Sequence, residues 1–277
     1  MLAPRIISGF LLLLTCTLSA VAADQPVVKK RLLLIGQGPD GHPPTTHEFM
    51  AGHRVLAKCL APIETLEVRT ALADGAWAEG PKLIGESDGV VLFVSEGAKF
   101  VAADPHRQDA FIKLAARGGG LVALHWGIGC KDPAPIEGFL KLLGGCHGGP
   151  DRKYQVTDVR LLPVVGNPIA QGIAPFDVHD EFYYRLKFVD AQPGIKPVVT
   201  ASLDGRDETV AWSWQRPDGG RSFGFSGLHF HDNWKKVSYR RLVTQGVLWT
   251  LKQEIPAAGT PVAVSDDDLT LPPMAKK

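Results

Sequence analysis

One histidine in the sequence occupies a position where chemistry is often found. His125 directly follows the apolar run 121–124 and precedes Trp126-Gly127, which indicates a sharp turn at the end of a strand. In hydrolases of related architecture such a turn presents a Ser or Cys nucleophile. A histidine there can serve as general base, general acid or metal ligand, although it can also be a buried residue held by backbone hydrogen bonds. We predict that His125 is catalytic.

A second candidate is the triplet His179-Asp180-Glu181, which is followed at once by Phe182-Tyr183-Tyr184. Three titratable residues in a row usually form a solvated turn, but the aromatic stretch favours the start of a strand. Alternation along that strand would send Asp180 to one face and His179 and Glu181 to the other. We predict that Glu181 is catalytic and that Asp180 and Tyr183 bind substrate.

A third candidate is the pair His229 and His231, followed by Asp232. Two histidines at i and i+2 can bind one metal ion, and the aspartate can be a third ligand or can orient one of them. The H-x-H pattern also occurs by chance. We predict that His229 is catalytic, and that His229, His231 and His125 could bind a divalent metal such as zinc.

The first loop contributes His42 and His47 ahead of a predicted helix, whose start is marked by the capping-box spacing of Thr45 and Glu48. The positive end of a helix favours a neutral imidazole ring, which suits metal binding or a hydrogen bond to substrate. We therefore add His47 to the catalytic residues.

Tryptophans lie close to these segments, and three of them, Trp126, Trp212 and Trp234, are predicted to bind substrate. An aromatic face beside polar groups suits a sugar ring, which presents C–H faces and hydroxyls together. The alternative for each is packing in the core.

The elements that would position these residues alternate between strand and helix. Apolar runs at 31–36, 65–68, 89–94 and 121–124 predict strands, and periodic segments between them predict helices. This order indicates an α/β fold with a doubly wound, mostly parallel sheet of the flavodoxin-like kind. Active crevices of such sheets lie at the carboxyl ends of the strands. The second half predicts an added antiparallel hairpin region, with strands at 154–162, 182–188, 209–214 and 222–226.

The ends of the chain differ from this domain, which we place at residues 28–253. Residues 1–23 combine Arg5, an apolar run and a small-residue segment, a pattern typical of a secretory signal peptide. The apolar run is too short for a stable membrane span. We therefore expect an exported protein, periplasmic or extracellular. Residues 254–277 form a Pro-rich tail, or an arm that lies on the domain.

Charge and cysteine content limit the partners. The formal net charge is +1 and no basic stretch carries interleaved aromatics, so we expect no nucleic-acid partner. Cys59, Cys130 and Cys146 would remain after cleavage of the signal peptide. An oxidising compartment would permit a disulfide, for which Cys130 and Cys146 are the nearest pair, whereas Cys59 falls in an apolar helical pattern.

Several segments, in this order, resemble motifs of the trehalose-utilisation (ThuA-like) family. They are Gly118-Gly119-Gly120-Leu121-Val122-Ala123-Leu124-His125, Leu142-Leu143-Gly144-Gly145, Asp180-Glu181-Phe182-Tyr183-Tyr184, Val210-Ala211-Trp212 with Gly220-Arg221-Ser222-Phe223, and Trp249. The resemblance covers about residues 30–252. It implies a class I glutamine amidotransferase-like fold without the cysteine nucleophile, and a role in the use of trehalose, related disaccharides or their keto derivatives. Leu228 departs from the pattern, because the family has glycine before the histidine.

Together these patterns predict an exported, carbohydrate-processing protein whose site is built from His47, His125, Glu181 and His229. The chemistry would be of the isomerase or hydrolase type on a disaccharide or keto-sugar, with a divalent metal or with acid–base catalysis alone. One alternative is a non-catalytic carbohydrate-binding domain. Another is a thiol hydrolase that uses Cys130.

Overall fold

The computed structural model describes residues 28–189 and 194–271. The predicted signal peptide at 1–23 lies outside the described residues. Twelve strands are described: β1 (Lys30–Gly36), β2 (Leu66–Leu72), β3 (Gly89–Phe93), β4 (Gly120–Leu124), β5 (Gly129–Cys130), β6 (Gly145–Gly148), β7 (Lys153–Pro163), β8 (Phe176–Tyr184), β9 (Lys187–Phe188), β10 (Ile195–Leu203), β11 (Arg206–Gln215) and β12 (Arg221–Phe225). The helices are α1 (Phe49–Leu60), α2 (Gly80–Gly85), α3 (Gly97–Ala102), α4 (Pro105–Ala116), α5 (Ile136–Leu143), α6 (Val237–Thr250) and α7 (Asp266–Leu269).

Nine of the strands form one mixed sheet in the order β2-β1-β3-β4-β12-β11-β10-β7-β8. Along this order, the five neighbouring strands β2, β1, β3, β4 and β12 pair in parallel. The strands β12, β11, β10, β7 and β8 pair in antiparallel fashion. The prediction of a mostly parallel sheet with an added antiparallel hairpin region needs correction, because the nine strands form one mixed sheet. The hairpin of β11 and β12 does not form its own layer, because β12 returns alongside β4 and continues the parallel sheet into the antiparallel half.

The parallel half is covered on both faces, as its apolar sequence predicts. Leu32 and Leu34 of β1 face a core shared with α1 and α6, while Leu33 and Ile35 face a second core shared with α2, α3, α4 and α5. Each fully buried leucine or isoleucine contributes on the order of 1.5–3 kcal/mol. This double burial fixes the strands rigidly, so the residues that follow their carboxyl ends have defined positions.

The predicted N-terminal cap forms at α4 but only partly at α1. Asp104 accepts a hydrogen bond from the Arg107 backbone N–H at 2.7 Å, and Pro105 occupies the first helical position of α4. Ahead of α1 only half of the predicted capping box forms, in which Glu48 accepts from the Thr45 N–H at 3.1 Å. The helix begins only at Phe49, because Thr45 and His47 adopt left-handed φ values of 73° and 52° and cannot belong to it.

The C-terminal segment 254–271 runs along the domain surface against α1 and α6. Arg240 donates to the Val262 carbonyl at 3.0 Å, and Arg54 donates to the Thr270 carbonyl at 2.6 Å. Lys58 and Asp268 add an ion pair at 3.2 Å. Within the described ranges no helix is both long and apolar enough to cross a bilayer.

The predicted disulfide between Cys130 and Cys146 is not formed, and both thiols, like that of Cys59, are free. Strands β5 and β6 lie side by side, but in a register that places Cys130 opposite Gly148 rather than Cys146. Each thiol instead donates to a backbone carbonyl, Cys130 to Asp132 at 2.8 Å and Cys146 to His147 at 3.4 Å.

Candidate active site

His125 lies where the sequence places it, directly after β4. Its backbone adopts the left-handed conformation, with a φ of 47°, and its side chain is fully buried. The ring Nδ1 lies 2.9 Å from the carbonyl oxygen of Ser226. Because a carbonyl can only accept, Nδ1 must carry the proton, and a neutral ring then presents a bare lone pair at Nε2.

His47 reaches the same point from the loop after β1. Its φ is 52°, and its Nδ1 lies 2.8 Å from a carboxylate oxygen of Asp40. By the same argument Nδ1 is the donor and Nε2 has the bare lone pair. The Nε2 atoms of His47 and His125 are 3.0 Å apart. Two hydrogen-bond acceptors therefore face each other at contact distance.

His229 and Glu181 complete the cluster. His229 Nδ1 lies 3.1 Å from His125 Nε2, and Glu181 Oε1 lies 3.8 Å from His125 Nε2 and 3.7 Å from His229 Nδ1. One ligand atom from each of His47, His125, Glu181 and His229 falls within 4.8 Å of the others. The structure thus brings together all four residues that the sequence predicted to be catalytic.

Burial keeps the histidine rings neutral. It lowers the pKa of His125 well below its ordinary value, and the neighbouring rings of His47 and His229 lower it further. Burial also lowers the pKa of His47, and lowers that of His229 to about 4. Protonation of one ring is therefore a costly way to relieve the contact between the two Nε2 atoms.

A bound cation is the alternative to protonation, and the donor set fits zinc. Neutral imidazole nitrogens at 2.0–2.1 Å from a tetrahedral zinc would lie about 3.3 Å apart, close to the separations of 3.0 and 3.1 Å seen here. Asp40 and the Ser226 carbonyl hold the opposite ring nitrogens, the arrangement that orients metal-bound histidines. Hydrogen bonds and attraction from His47 and then His42 outweigh burial and keep the pKa of Asp40 well below its ordinary value.

Asp180 is a positioning residue and does not line the cleft, contrary to the prediction that it binds substrate. Its carboxylate is fully buried and accepts from the backbone N–H groups of Leu228, His229 and Phe230 at 2.7, 3.1 and 3.4 Å. The Tyr239 hydroxyl donates to it at 2.9 Å. These bonds hold Leu228 at a φ of 82°, a conformation that residues other than glycine rarely adopt.

Tyr183 links the cluster to the rest of the cleft. Its ring stacks between those of His125 and His147, with centroid distances of 4.7 and 4.2 Å. Its hydroxyl lies 3.1 Å from His125 Nε2. Burial raises the pKa of the neighbouring Glu181 carboxyl. Tyr183 is thus placed to touch a molecule that reaches the cluster.

The cluster opens into a cleft of about 180 Å³. The lining residues are His42, His47, Trp126, Lys131, His147, Arg152, Tyr154, Glu181 and Tyr183. Trp126 is therefore in the predicted position, whereas Lys131, His147, Arg152 and Tyr154 were not predicted. Tyr154 pairs across the strands with Tyr183 and is 58% exposed, so it offers an open aromatic face.

Three predicted residues lie elsewhere. Trp212 is fully buried, where its ring packs over two glycines and its N–H donates to the Leu143 carbonyl at 2.9 Å. Trp234 is 1% exposed and packs against Phe93 in the core. His231 is turned away from the cluster, with Nε2 3.0 Å from the Leu269 carbonyl of the C-terminal segment. Trp212 and Trp234 therefore do not contact the cleft, and His231 cannot share a metal with His125 and His229.

Cys130 lacks the features of a nucleophile. Burial, followed by the charges of Glu96 and Asp132, raises the pKa of its thiol to about 11. A nucleophilic cysteine needs the opposite shift, because the thiolate is the reactive form. The geometry does not support a thiol hydrolase based on this residue.

Comparison with known proteins agrees with the motifs. A family model described as ThuA, trehalose utilisation, matches residues 41–250. Among solved structures, a ThuA-like protein from Bacteroides uniformis aligns with a TM-score of 0.62 at 15% identity, covering 84% of this chain and 95% of that one. One from Parabacteroides merdae aligns with a TM-score of 0.61 at 15% identity, covering 82% and 93%.

A weaker likeness is to PurLQS from Thermotoga maritima, with a TM-score of 0.46 at 15% identity, covering 81% of this chain and 98% of that one. A comparison with curated proteins gives no match. The family model spans three quarters of the chain and includes every residue of the histidine cluster. This chain therefore belongs to the ThuA family.

Proposed function

We propose that this protein is an exported, metal-dependent enzyme that carries out isomerase- or hydrolase-type chemistry on a disaccharide or keto-sugar. His47, His125 and His229 would hold the metal, for which zinc is the best fit. The observation that carries the proposal is the 3.0 Å contact between two unprotonated Nε2 atoms, each fixed by an acceptor on the far side of its ring.

In this proposal the metal ion, Glu181 and Tyr183 have different chemical roles. A bound zinc ion would polarise a sugar carbonyl or hydroxyl, or lower the pKa of a water molecule. Glu181 Oε1 lies 3.8 Å from His125 Nε2, whereas His47 Nε2 and His229 Nδ1 lie 3.0 and 3.1 Å from that atom. Burial raises the pKa of Glu181, which suits a group that takes up and returns a proton. The Tyr183 hydroxyl can hydrogen-bond to a substrate oxygen beside it.

The sugar ring would be held by aromatic side chains. Trp126 and Tyr154 line the cleft together with Tyr183, and aromatic faces suit the C–H faces of sugars. The family's description as trehalose utilisation supports a carbohydrate as the substrate.

The test is turnover by metal-free and zinc-loaded protein on trehalose, related disaccharides and their keto derivatives, followed by NMR. Zinc should restore activity. His125→Ala should lose both zinc and activity, whereas Glu181→Gln should keep zinc and lose activity by on the order of 10²-fold or more. His231→Ala is the matched control and should resemble the natural protein.

Two results would count against the proposal. Undiminished turnover after removal of the metal would refute metal dependence. Sugar binding without turnover across the whole panel would favour the non-catalytic carbohydrate-binding domain.

A further inference from the structure

The cleft carries more positive than negative charge. Lys131 and Arg152 line it, and Glu181 is the one carboxylate among the described lining residues. Within the described parts of the chain, neither the Lys131 ammonium group nor the Arg152 guanidinium group has a carboxylate oxygen within 4 Å. The adjacent Lys187, in contrast, is paired with Asp151 at 2.8 Å.

Arg152 keeps most of its hydrogen-bonding capacity. One of its terminal nitrogens donates to the Gly149 carbonyl at 3.1 Å, and this is the hydrogen bond that its guanidinium makes with the described residues. A guanidinium group has five N–H donors in a planar fork that matches carboxylate and phosphate oxygens. Lys131 is fixed at its backbone, because its N–H donates to a Glu96 carboxylate oxygen at 2.9 Å. Lys131 lines the same cleft as Arg152.

His147 gives an independent sign of a missing partner. Its ring is 1% exposed and its Nε2 has no hydrogen-bond partner among the described residues. The ring cannot easily turn away, because it stacks on Tyr183 at 4.2 Å and packs against Trp126 at 5.7 Å. A buried polar nitrogen without a partner is costly, so a ligand atom or a water molecule is expected beside it.

The position of these groups relative to the histidine cluster matters. The Tyr183 ring lies between those of His125 and His147, so one aromatic ring separates the metal ligands from the basic end of the cleft. A molecule held at the basic end can thus extend past Tyr183 to the cluster. The positive charges of Arg152 and Lys187, after burial, lower the pKa of His147 to about 3, so this ring stays neutral and can donate one N–H.

We propose that Lys131, Arg152 and His147 form a subsite for an anionic substituent, a carboxylate or a phosphate, on the carbohydrate. The substrate class is then sugar acids or sugar phosphates rather than neutral disaccharides alone. This inference rests on the proposed function in that it takes the same cleft as the substrate site. A neutral sugar would leave both cations without a counter-charge when it excludes water from the cleft.

The test is calorimetric binding of glucose, glucuronate and glucose 6-phosphate to chelator-treated protein, in which anions cannot bind a metal ion. We expect at least one of the two anionic sugars to bind about tenfold or more tightly than glucose, and the tighter one identifies carboxylate or phosphate. Arg152→Gln and Lys131→Gln should each remove most of that preference while the affinity for glucose stays within about twofold. Lys187→Gln, whose side chain is already paired, is the matched control.

Equal affinity for neutral and anionic sugars would overturn the inference, as would an equal loss for both in Arg152→Gln. The zinc content of the same variants separates this failure from that of the proposed function. Arg152→Gln should bind zinc normally, because it does not contact the histidine cluster. An anion preference in a protein that binds no zinc would refute metal dependence and leave the subsite standing.

Discussion

Buried histidines make the metal-free protein sensitive to acid. His53, His147 and His229 have pKa values of about 4, 3 and 4 in the folded state, against 6.5 for an exposed histidine, because burial disfavours the charged ring. Below pH 6.5 the unfolded chain therefore binds protons that the folded protein does not. The free energy of unfolding is therefore highest above pH 6.5 with respect to these rings, and it decreases as the pH falls from 6.5 toward 4.

The magnitude follows from the proton counts. Each of the three rings lowers the free energy of unfolding by roughly 2 kcal/mol between pH 7 and pH 5. Burial raises the pKa of Asp180 to about 6 from 3.8, so this carboxyl takes up a proton in the folded state and offsets roughly 1 kcal/mol. The net loss from these four groups is on the order of 5 kcal/mol, a large part of the stability of a typical domain.

Urea unfolding of chelator-treated protein at pH 7 and pH 5, followed by tryptophan fluorescence, measures this difference. His53→Gln should reduce the loss by roughly 2 kcal/mol, because one titrating ring is removed. His106→Gln, which replaces an exposed histidine, should leave it within about 0.5 kcal/mol. Equal stability at the two pH values, or greater stability at pH 5, would show that these rings are not held neutral by burial.

Three further predictions concern the same region. Asp40→Asn should lower zinc affinity by about 10–100-fold, because the charged acceptor behind His47 is lost, and competition with a chromophoric chelator measures it; unchanged affinity would contradict the role of Asp40. Asp180→Ala should lower zinc affinity by about tenfold or more, because the backbone around His229 loses its shared acceptor; an unaltered affinity would show that other contacts position that histidine. A thiol reagent should label Cys59, Cys130 and Cys146 only after unfolding, and failure of any of the three to react in the unfolded chain would indicate a disulfide.

The convergence of the four cluster residues could be predicted in outline because parallel strands meet at one edge of a sheet. His47 follows β1 and His125 follows β4, so their proximity is a consequence of topology. His229 follows β12, which the structure places beside β4. Glu181 was found through alternation along β8, since Asp180 and Glu181 do point to opposite sides of that strand.

Other parts of the site could not be found from sequence. The Ser226 carbonyl that fixes His125 is a backbone group, and no residue type signals it. Asp40 lies seven residues before His47 in a Gly/Pro-rich loop, where its distance from the ring depends on the path of that loop. Strand β10 was missed because Pro197 and a bulge between Pro197 and Val199 interrupt its alternation.

Trp212 shows that proximity in sequence to polar residues does not place a tryptophan in the cleft. Trp212 was predicted to bind sugar because it lies near polar clusters in sequence. Its ring instead fills the space beside Gly145 and Gly224, where a Cβ would come within 2.5 and 2.2 Å of the indole. The two glycines were the available signal, because a large ring needs small neighbours to pack at core density.

The central claim is that three imidazole rings bind one metal ion. X-ray absorption at the zinc edge, on protein loaded with one equivalent of zinc, counts these rings directly. We predict three imidazole nitrogens at about 2.0–2.1 Å, falling to two in His229→Ala and staying at three in His231→Ala. A zinc first shell without imidazole would contradict the site described here. So would a count of imidazole rings that falls in His231→Ala but is unchanged in His229→Ala.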